Sequence, residues 1–298
     1  MRGSAEGLVG GVVLDALLGD PKRFHPVAGF GRIASAVERP LYGDSRWRGV
    51  AYAGGLVAGA GMAGVLVERV SRRFGVHGLA TAGVTWVVLG GTSLGREGLI
   101  MARVLERGDL DAARARLSHL CARDPEGMDA KGISRAVVES VAENTSDASV
   151  APLVWGAAAG IPGLLMYRAI NTLDAMVGYR SPKYERFGWA AARLDDAANW
   201  VPARVTGGLV VLCGGPEAFR VMRRDGKRHP SPNAGQVEAA FAGALGLRLG
   251  GTNAYGGRVE QRPEMGDGRT PEVRDIRKAV RLSAAVTFVA AAMIGALR

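Results

Sequence analysis

Uncharged stretches recur along the chain at about the length of a bilayer crossing. Residues 49–67, 74–95 and 148–167 carry no Asp, Glu, Lys or Arg, and each approaches the ~20 residues that a helix needs to traverse a hydrocarbon core. A shorter run, 282–297, lies near the C-terminal end, and another, 8–18, is interrupted by Asp15. Charged segments separate them. The pattern predicts an all-α, polytopic integral membrane helical bundle with re-entrant or interfacial helices, in which polar loops form the active site. One membrane-embedded domain is expected over 1–298, with 96–147 and 217–278 mainly extramembrane.

Breakers refine this picture. Gly19 and Pro21 end the first helix, leaving Asp20 at the break. Gly59, Gly61 and Gly64 spell G-x-G-x-x-G, but the dinucleotide fingerprint needs a preceding strand and a later acid, and these glycines lie inside an apolar helix-length run. Gly55 with Gly59, and Ala60 with Gly64, instead have the small-xxx-small spacing of closely packed membrane helices. Segment 96–131 reads as one or two surface helices, 201–215 as too interrupted by Pro202 and Arg204 for a complete crossing, and 256–278 as a polar loop. Gly156, Gly160, Pro162 and Gly163 predict that run 148–167 folds back, since a full crossing would put Asp174, Asp195 and Asp196 across the bilayer from Asp20.

Composition narrows the partners. A net charge of +10 could point to nucleic acid, but aromatic residues are only 6% and the cations cluster between apolar runs, as membrane-flanking residues do. No nucleic-acid partner is expected. Cys121 and Cys213 are far apart with no histidine at ligand spacing, so neither a disulfide nor a zinc site is expected. The first apolar run lacks a small-residue cleavage site and reads as retained. There is no Walker A sequence.

Chemistry concentrates in 134–199. Arg135, Glu139, Glu143 and Asp147 recur at helical spacing beside Val137, Val138 and Val141, and acids on a partly buried helix are costly unless they bind a cation or pair with Arg or Lys. Asn171 with Asp174, and Asp196 with Asn199, repeat at i, i+3. Carboxylates and amides are hard oxygen ligands suited to Mg2+ carrying a phosphate-bearing substrate. Asp20, Lys22, Arg23 and His25 form a second candidate anion or metal group. Ser231 and Asn233 read as a helix cap before an Ala-rich helix.

Together LLGDPKRFHPV, AVVESVAENTSDASVAPL, YRAINTLDAMVGY, ARLDDAANWVPAR, and HPSPNAG followed by LGGTNAYGG resemble, in order, the adenosylcobinamide-phosphate synthases (cobinamide synthases) of cobalamin biosynthesis. That resemblance implies a multi-pass enzyme of the cytoplasmic membrane, its active site facing the cytoplasm. Such enzymes join adenosylcobyric acid, a corrinoid, to (R)-1-amino-2-propanol O-phosphate through an amide, with ATP and Mg2+ as cofactors. It is compatible with a homo-oligomer or with association with other enzymes of the pathway. On this reading Asp20, Glu143, Asp174 and Asp196 are the catalytic candidates. Glu143, Asp147, Asp174, Asp195 and Asp196 are metal candidates. Lys22, Arg23, His25, Asn144, Arg168, Asn171, Lys183, Asn199, Ser231 and Asn233 are candidates for holding substrate or phosphate. Two rivals share the residue logic: a membrane prenyltransferase with Asp-rich Mg2+-diphosphate sites, and a transporter whose buried acids mark an ion path.

Overall fold

The computed structural model describes residues 2–21, 25–121, 123–179, 181–255 and 258–296. Helices dominate. In chain order they are α1 (Arg2–Leu18), α2 (Pro26–Leu41), α3 (Arg46–Arg73), α4 (His77–Val88), α5 (Gly91–Glu106), α6 (Leu110–Leu117), α7 (Ala130–Thr145), α8 (Ala151–Leu173), α9 (Trp189–Ala198), α10 (Trp200–Gly214), α11 (Pro216–Asp225), α12 (Ala234–Leu245) and α13 (Val273–Ala296). Single π-helical turns, Ser146–Val150 and Asp174–Gly178, follow α7 and α8. The chain divides into two compact units, the first comprising Met1–Gly90, Ala151–Asn199 and Ala290–Arg298, the second Gly91–Val150 and Trp200–Val289.

Four helical segments among the described residues are long and apolar enough to cross a membrane: Arg46–Arg73, His77–Glu106, Ala130–Gly178 and Val273–Ala296. The all-α polytopic membrane class therefore holds. Run 74–95 is not one straight helix, however. It breaks at Leu89, which is extended, and at Gly90; the Gly90-Gly91 pair is the weakest helix former in the run. α10 has only 15 residues, a rise of ~22 Å, short of a full crossing.

In the first unit, α1 ends where expected: Gly19 takes a φ of 66°, and its N–H donates to Asp15 O at 2.8 Å. The Trp86 indole then donates to Gly19 O at 2.8 Å, tying the Asp20 turn to α4. α1 packs tightly on α4 because Gly7 and Gly11 face Thr81 and Thr85, and a Cβ on either glycine would collide there. This is the small-residue seam of membrane helices. Gly55 and Gly59 do not make it, since open space surrounds both; on α3 the close approaches are Gly49 to the Phe187 carbonyl, Gly61 to Met166 and Gly64 to Pro162.

α8 carries the predicted reversal. Gly160 adopts φ 64°, ψ −149°, outside any helix and open only to glycine without strain. A Cβ on Gly163 would collide with the Trp155 carbonyl, and one on Gly156 with the Leu164 side chain. Residues eight apart in a straight helix stand ~12 Å apart, so these contacts require the arms 151–159 and 161–173 to fold back on each other. Around them Tyr52, Tyr167, Phe187 and Ile170 form a buried core, with Tyr42 and Tyr52 rings 5.4 and 5.1 Å from Phe187.

In the second unit α7 starts at Asp129, whose carboxylate accepts from Gly132 N at 2.7 Å. Val137, Val138 and Val141 are fully buried, as are Met101 of α5 and Leu117 of α6, with Leu105 nearly so. Part of the polar loop expected over 256–278 is instead strand: β1 (Leu249–Tyr255) and β2 (Arg258–Met265) pair antiparallel, with a bulge between Leu249 and Gly251. The hairpin lacks a strand-like hydrophobic alternation and is held by α7. Arg135 donates to the carbonyls of Gly250 and Thr252, and Glu139 accepts from Gly250 N at 2.6 Å.

Candidate functional site

α8, its π-helical turn and α9 bring one set of predicted residues together in the first unit. Asp174 opens the turn and Asp195 lies on α9. Asn199, almost fully buried, donates through Nδ2 to Asp195 Oδ2 at 3.0 Å and accepts from the Tyr167 hydroxyl at 2.9 Å. Asn171 adds a further side-chain hydrogen bond to Asp195 and accepts from Arg168 Nη1 at 3.3 Å. The amides thus orient the acid. Burial, followed by the charge of Asp174, pushes Asp195 up to about 7. Its Oδ1 is buried and has no hydrogen-bond partner. A Cβ on Gly178 would collide with the Asp174 carboxylate, so glycine there lets that side chain lie across its own turn.

Other candidates in this unit have different surroundings. Asp196 lies 3.5 Å from Arg193 at a more exposed position. His25 caps α2, its Nδ1 accepting from Val27 N at 3.2 Å. Asp20 also has a buried, unpartnered Oδ1. Lys183 donates to Glu38 at 2.9 Å and to the Tyr184 hydroxyl at 2.7 Å, and sits over the Tyr42 and Tyr184 rings. That engagement gives it an anchoring role in the fold. Lys22 and Arg23 lie outside the described residues.

The second unit holds Glu143, Asp147, Asn144, Ser231 and Asn233. Ser231 performs the capping expected of it, its Oγ accepting from Asn233 N at 3.3 Å and Ala234 N at 3.2 Å. Asn233 accepts from Arg204 at 3.2 Å, and Asn144 donates back to Ser140 O at 2.9 Å. Glu143 is solvent-exposed on α7, whereas Glu139 is buried and paired with buried Arg123. The sequence reading did not select Tyr167, Arg123, His229, Glu238 or Arg262. Burial drives Glu238 well above the usual carboxylate range, with Glu139 and Glu143 adding to the effect. His229 lies 3.9 Å from Glu238 and is held neutral by burial and by Arg262. A single acid in the apolar run QVEAAFAGAL was the readable signal for Glu238.

Five metal candidates therefore fall in two groups, Asp174, Asp195 and Asp196 in one unit, Glu143 and Asp147 in the other. No cluster of three or more His, Cys, Asp or Glu among the described residues is disposed to hold a metal. The Asp174–Asp195 pair still suits Mg2+, which often takes one or two carboxylates and completes its shell with water and substrate phosphate. The buried Asp195 oxygen that lacks a donor is an atom at which such a cation could bind.

Residues 8–283 match the family described as CobD/Cbib protein. The chain is 54% identical to the "Cobalamin biosynthesis protein CobD" of Mycobacterium tuberculosis (strain ATCC 25618 / H37Rv), covering 97% of this chain and 94% of that protein. Proteins of the same name from Stutzerimonas stutzeri (strain A1501) and Chromobacterium violaceum are 44% and 40% identical, over 92% and 96% of this chain and 91% and 96% of theirs. No solved structure matches. With a family match over nearly its whole length and relatives above half identity, the chain belongs to the CobD/CbiB family.

Proposed function

We propose that the protein catalyses ATP- and Mg2+-dependent amide formation between adenosylcobyric acid and (R)-1-amino-2-propanol O-phosphate in cobalamin biosynthesis. The observation that carries the reading is the Asp174–Asp195 pair, held by Asn171 and Asn199 beside an unpartnered buried oxygen. Joining a carboxylate to an amine in water needs activation. The simplest route transfers the γ-phosphoryl of ATP to the corrinoid carboxylate, releasing ADP; the amine nitrogen then attacks the acyl carbon and inorganic phosphate leaves. No protein nucleophile is required. Mg2+ at the acid pair would offset the charge on the transferring phosphoryl oxygens. Asn171 and Asn199 fix the carboxylate, and Tyr167 fixes Asn199. Asp20 offers a buried acceptor oxygen for the ammonium proton that the amine must lose before attack.

The test is direct. Full-length protein in neutral detergent, supplied with adenosylcobyric acid, the phosphorylated amine, ATP and Mg2+, should yield adenosylcobinamide phosphate by mass spectrometry, with ADP and phosphate in equal amounts. Turnover of an isoprenoid diphosphate without amide product would replace this reading with a prenyl transfer, and substrate uptake without any covalent product would replace it with transport.

A further inference from the structure

The outer face of α2 forms a pocket that none of the roles above uses. Ala28, Gly31, Arg32, Ser35, Ala36 and Arg39, with Met176, line a space of about 480 Å³ in the first unit. The helix is sharply two-faced. Phe30, Ala34, Val37 and Leu41 turn inward onto the core, whereas the lining residues recur at i, i+3, i+4, i+7, i+8 and i+11 from Ala28, along the opposite side. Small side chains keep the floor low: a Cβ on Gly31 would meet only Met176 Sδ, at 3.9 Å. Arg32 and Arg39, two turns apart, stand over that floor with Ser35 between them.

Arg72, Arg116, Arg186, Arg220, Arg224 and Arg269 are each bound to a carboxylate, but neither Arg32 nor Arg39 has an acidic partner among the described residues. The sole acid of α2, Glu38, is committed to Lys183 and Tyr184. Two guanidinium groups and a hydroxyl above a small-residue floor form an anion site, and planar arginines favour the tetrahedral, multiply charged phosphate group. Its far wall, Met176, belongs to the π-helical turn that begins with Asp174. An anion seated on α2 would thus lie beside the turn that opens with Asp174.

We propose that the Arg32–Ser35–Arg39 pocket is a phosphate-binding subsite that seats the phosphate of a soluble substrate next to the Asp174–Asp195 pair. This rests on the proposed phosphate-dependent amide formation, and a phospholipid headgroup presents the same chemistry. The experiment separates these sources and does not depend on turnover. Equilibrium dialysis of the full chain in neutral detergent would measure binding of (R)-1-amino-2-propanol O-phosphate, ATP and inorganic phosphate. Recovery of the protein on phosphatidylglycerol vesicles, against phosphatidylcholine vesicles, would measure headgroup binding. R32Q/R39Q should weaken at least one soluble phosphate compound ten-fold or more. Gly31→Leu, which fills the pocket without altering charge, should do the same while the protein keeps the wild-type melting temperature. If soluble binding is unchanged in both variants, the subsite is overturned; if only the phosphatidylglycerol preference falls, the substrate assignment is overturned in favour of lipid. A wild-type protein that binds phosphate through these arginines but makes no amide would remove the proposed reaction and retain the pocket.

Discussion

Replacing Asp195 with asparagine should abolish a pH dependence of stability that the native chain carries between pH 6 and 8. Burial first, and the Asp174 carboxylate second, push Asp195 up to about 7, whereas an aspartate in an unfolded chain titrates near ~3.9. A folded value above the unfolded one means that protonation favours the folded state. The contribution is fully present below ~3.9 and is lost as pH rises through about 7. From pH 6 to pH 8 the unfolded aspartate stays ionised, while the folded one passes from roughly nine-tenths protonated to roughly one-tenth, a loss of about 1.4 kcal/mol. For a chain of this size that is a fall of about 2–4 °C in melting temperature. Asparagine keeps an acceptor for Asn199 and carries no charge, so this component should vanish.

The assay is thermal unfolding of the full chain in neutral detergent with EDTA, wild type against Asp195→Asn, at both pH values. The difference between variants is what counts, because other groups titrate in the same window. Identical pH dependence in the two proteins would refute the argument that Asp195 is held protonated beside Asp174. Adding Mg2+ should raise the wild-type melting temperature most at pH 8, where the acid is ionised, and leave the variant little changed.

Asp174→Asn should eliminate amide synthesis while leaving membrane-inserted protein at wild-type levels, and near-normal turnover would exclude Asp174 from the reacting site. Gly160→Ala forces an L-residue into φ 64°, ψ −149°; it should cost about 1–3 kcal/mol, and an unchanged melting temperature would show that α8 does not turn back there. Tyr167→Phe deletes the donor to buried Asn199; about 1 kcal/mol of stability should go with it, together with a lower kcat that wild-type KM values would assign to orientation of Asp195.

The membrane-length helices and the break after α1 were legible because hydrophobic run length and Gly-Asp-Pro chemistry are local properties. The reversal in α8 was legible for a different reason. A common site for Asp20, Asp174 and Asp195 required the chain to return, and Gly160 was among the residues able to turn it. Small-residue packing was legible only in part, since spacing on α3 identifies seams but not which one meets a neighbour: Gly64 closes on Pro162, whereas Gly55 and Gly59 face open space, and Gly7 and Gly11 of α1 meet Thr81 and Thr85. The hairpin was missed because nothing in its own alternation predicts it. Its ladder depends on Arg135 and Glu139, more than 100 residues away in sequence. Arg135 and Glu139, two of the four charged residues at helical spacing, therefore proved to be anchors, and Glu143 remained accessible.

The buried acids of the second unit provide a final discrimination between two glutamates of similar burial. Glu139 accepts from Gly250 N and pairs with buried Arg123, so its charge has local compensation. Glu238 lies 3.9 Å from His229, which burial and Arg262 keep neutral, and burial together with Glu139 and Glu143 raises Glu238 well above the usual carboxylate range against the opposing pull of Arg123 and Arg262. Burial therefore shifts Glu238 toward the neutral acid, a form that glutamine imitates in shape and charge. Glu238→Gln should be nearly neutral in thermal unfolding at pH 7. Glu139→Gln removes the carboxylate from a buried arginine and should cost about 3–5 kcal/mol. A loss in Glu238→Gln as large as that in Glu139→Gln would mean that Glu238 is ionised, so that the unit balances its buried cations with one more carboxylate than the geometry supports.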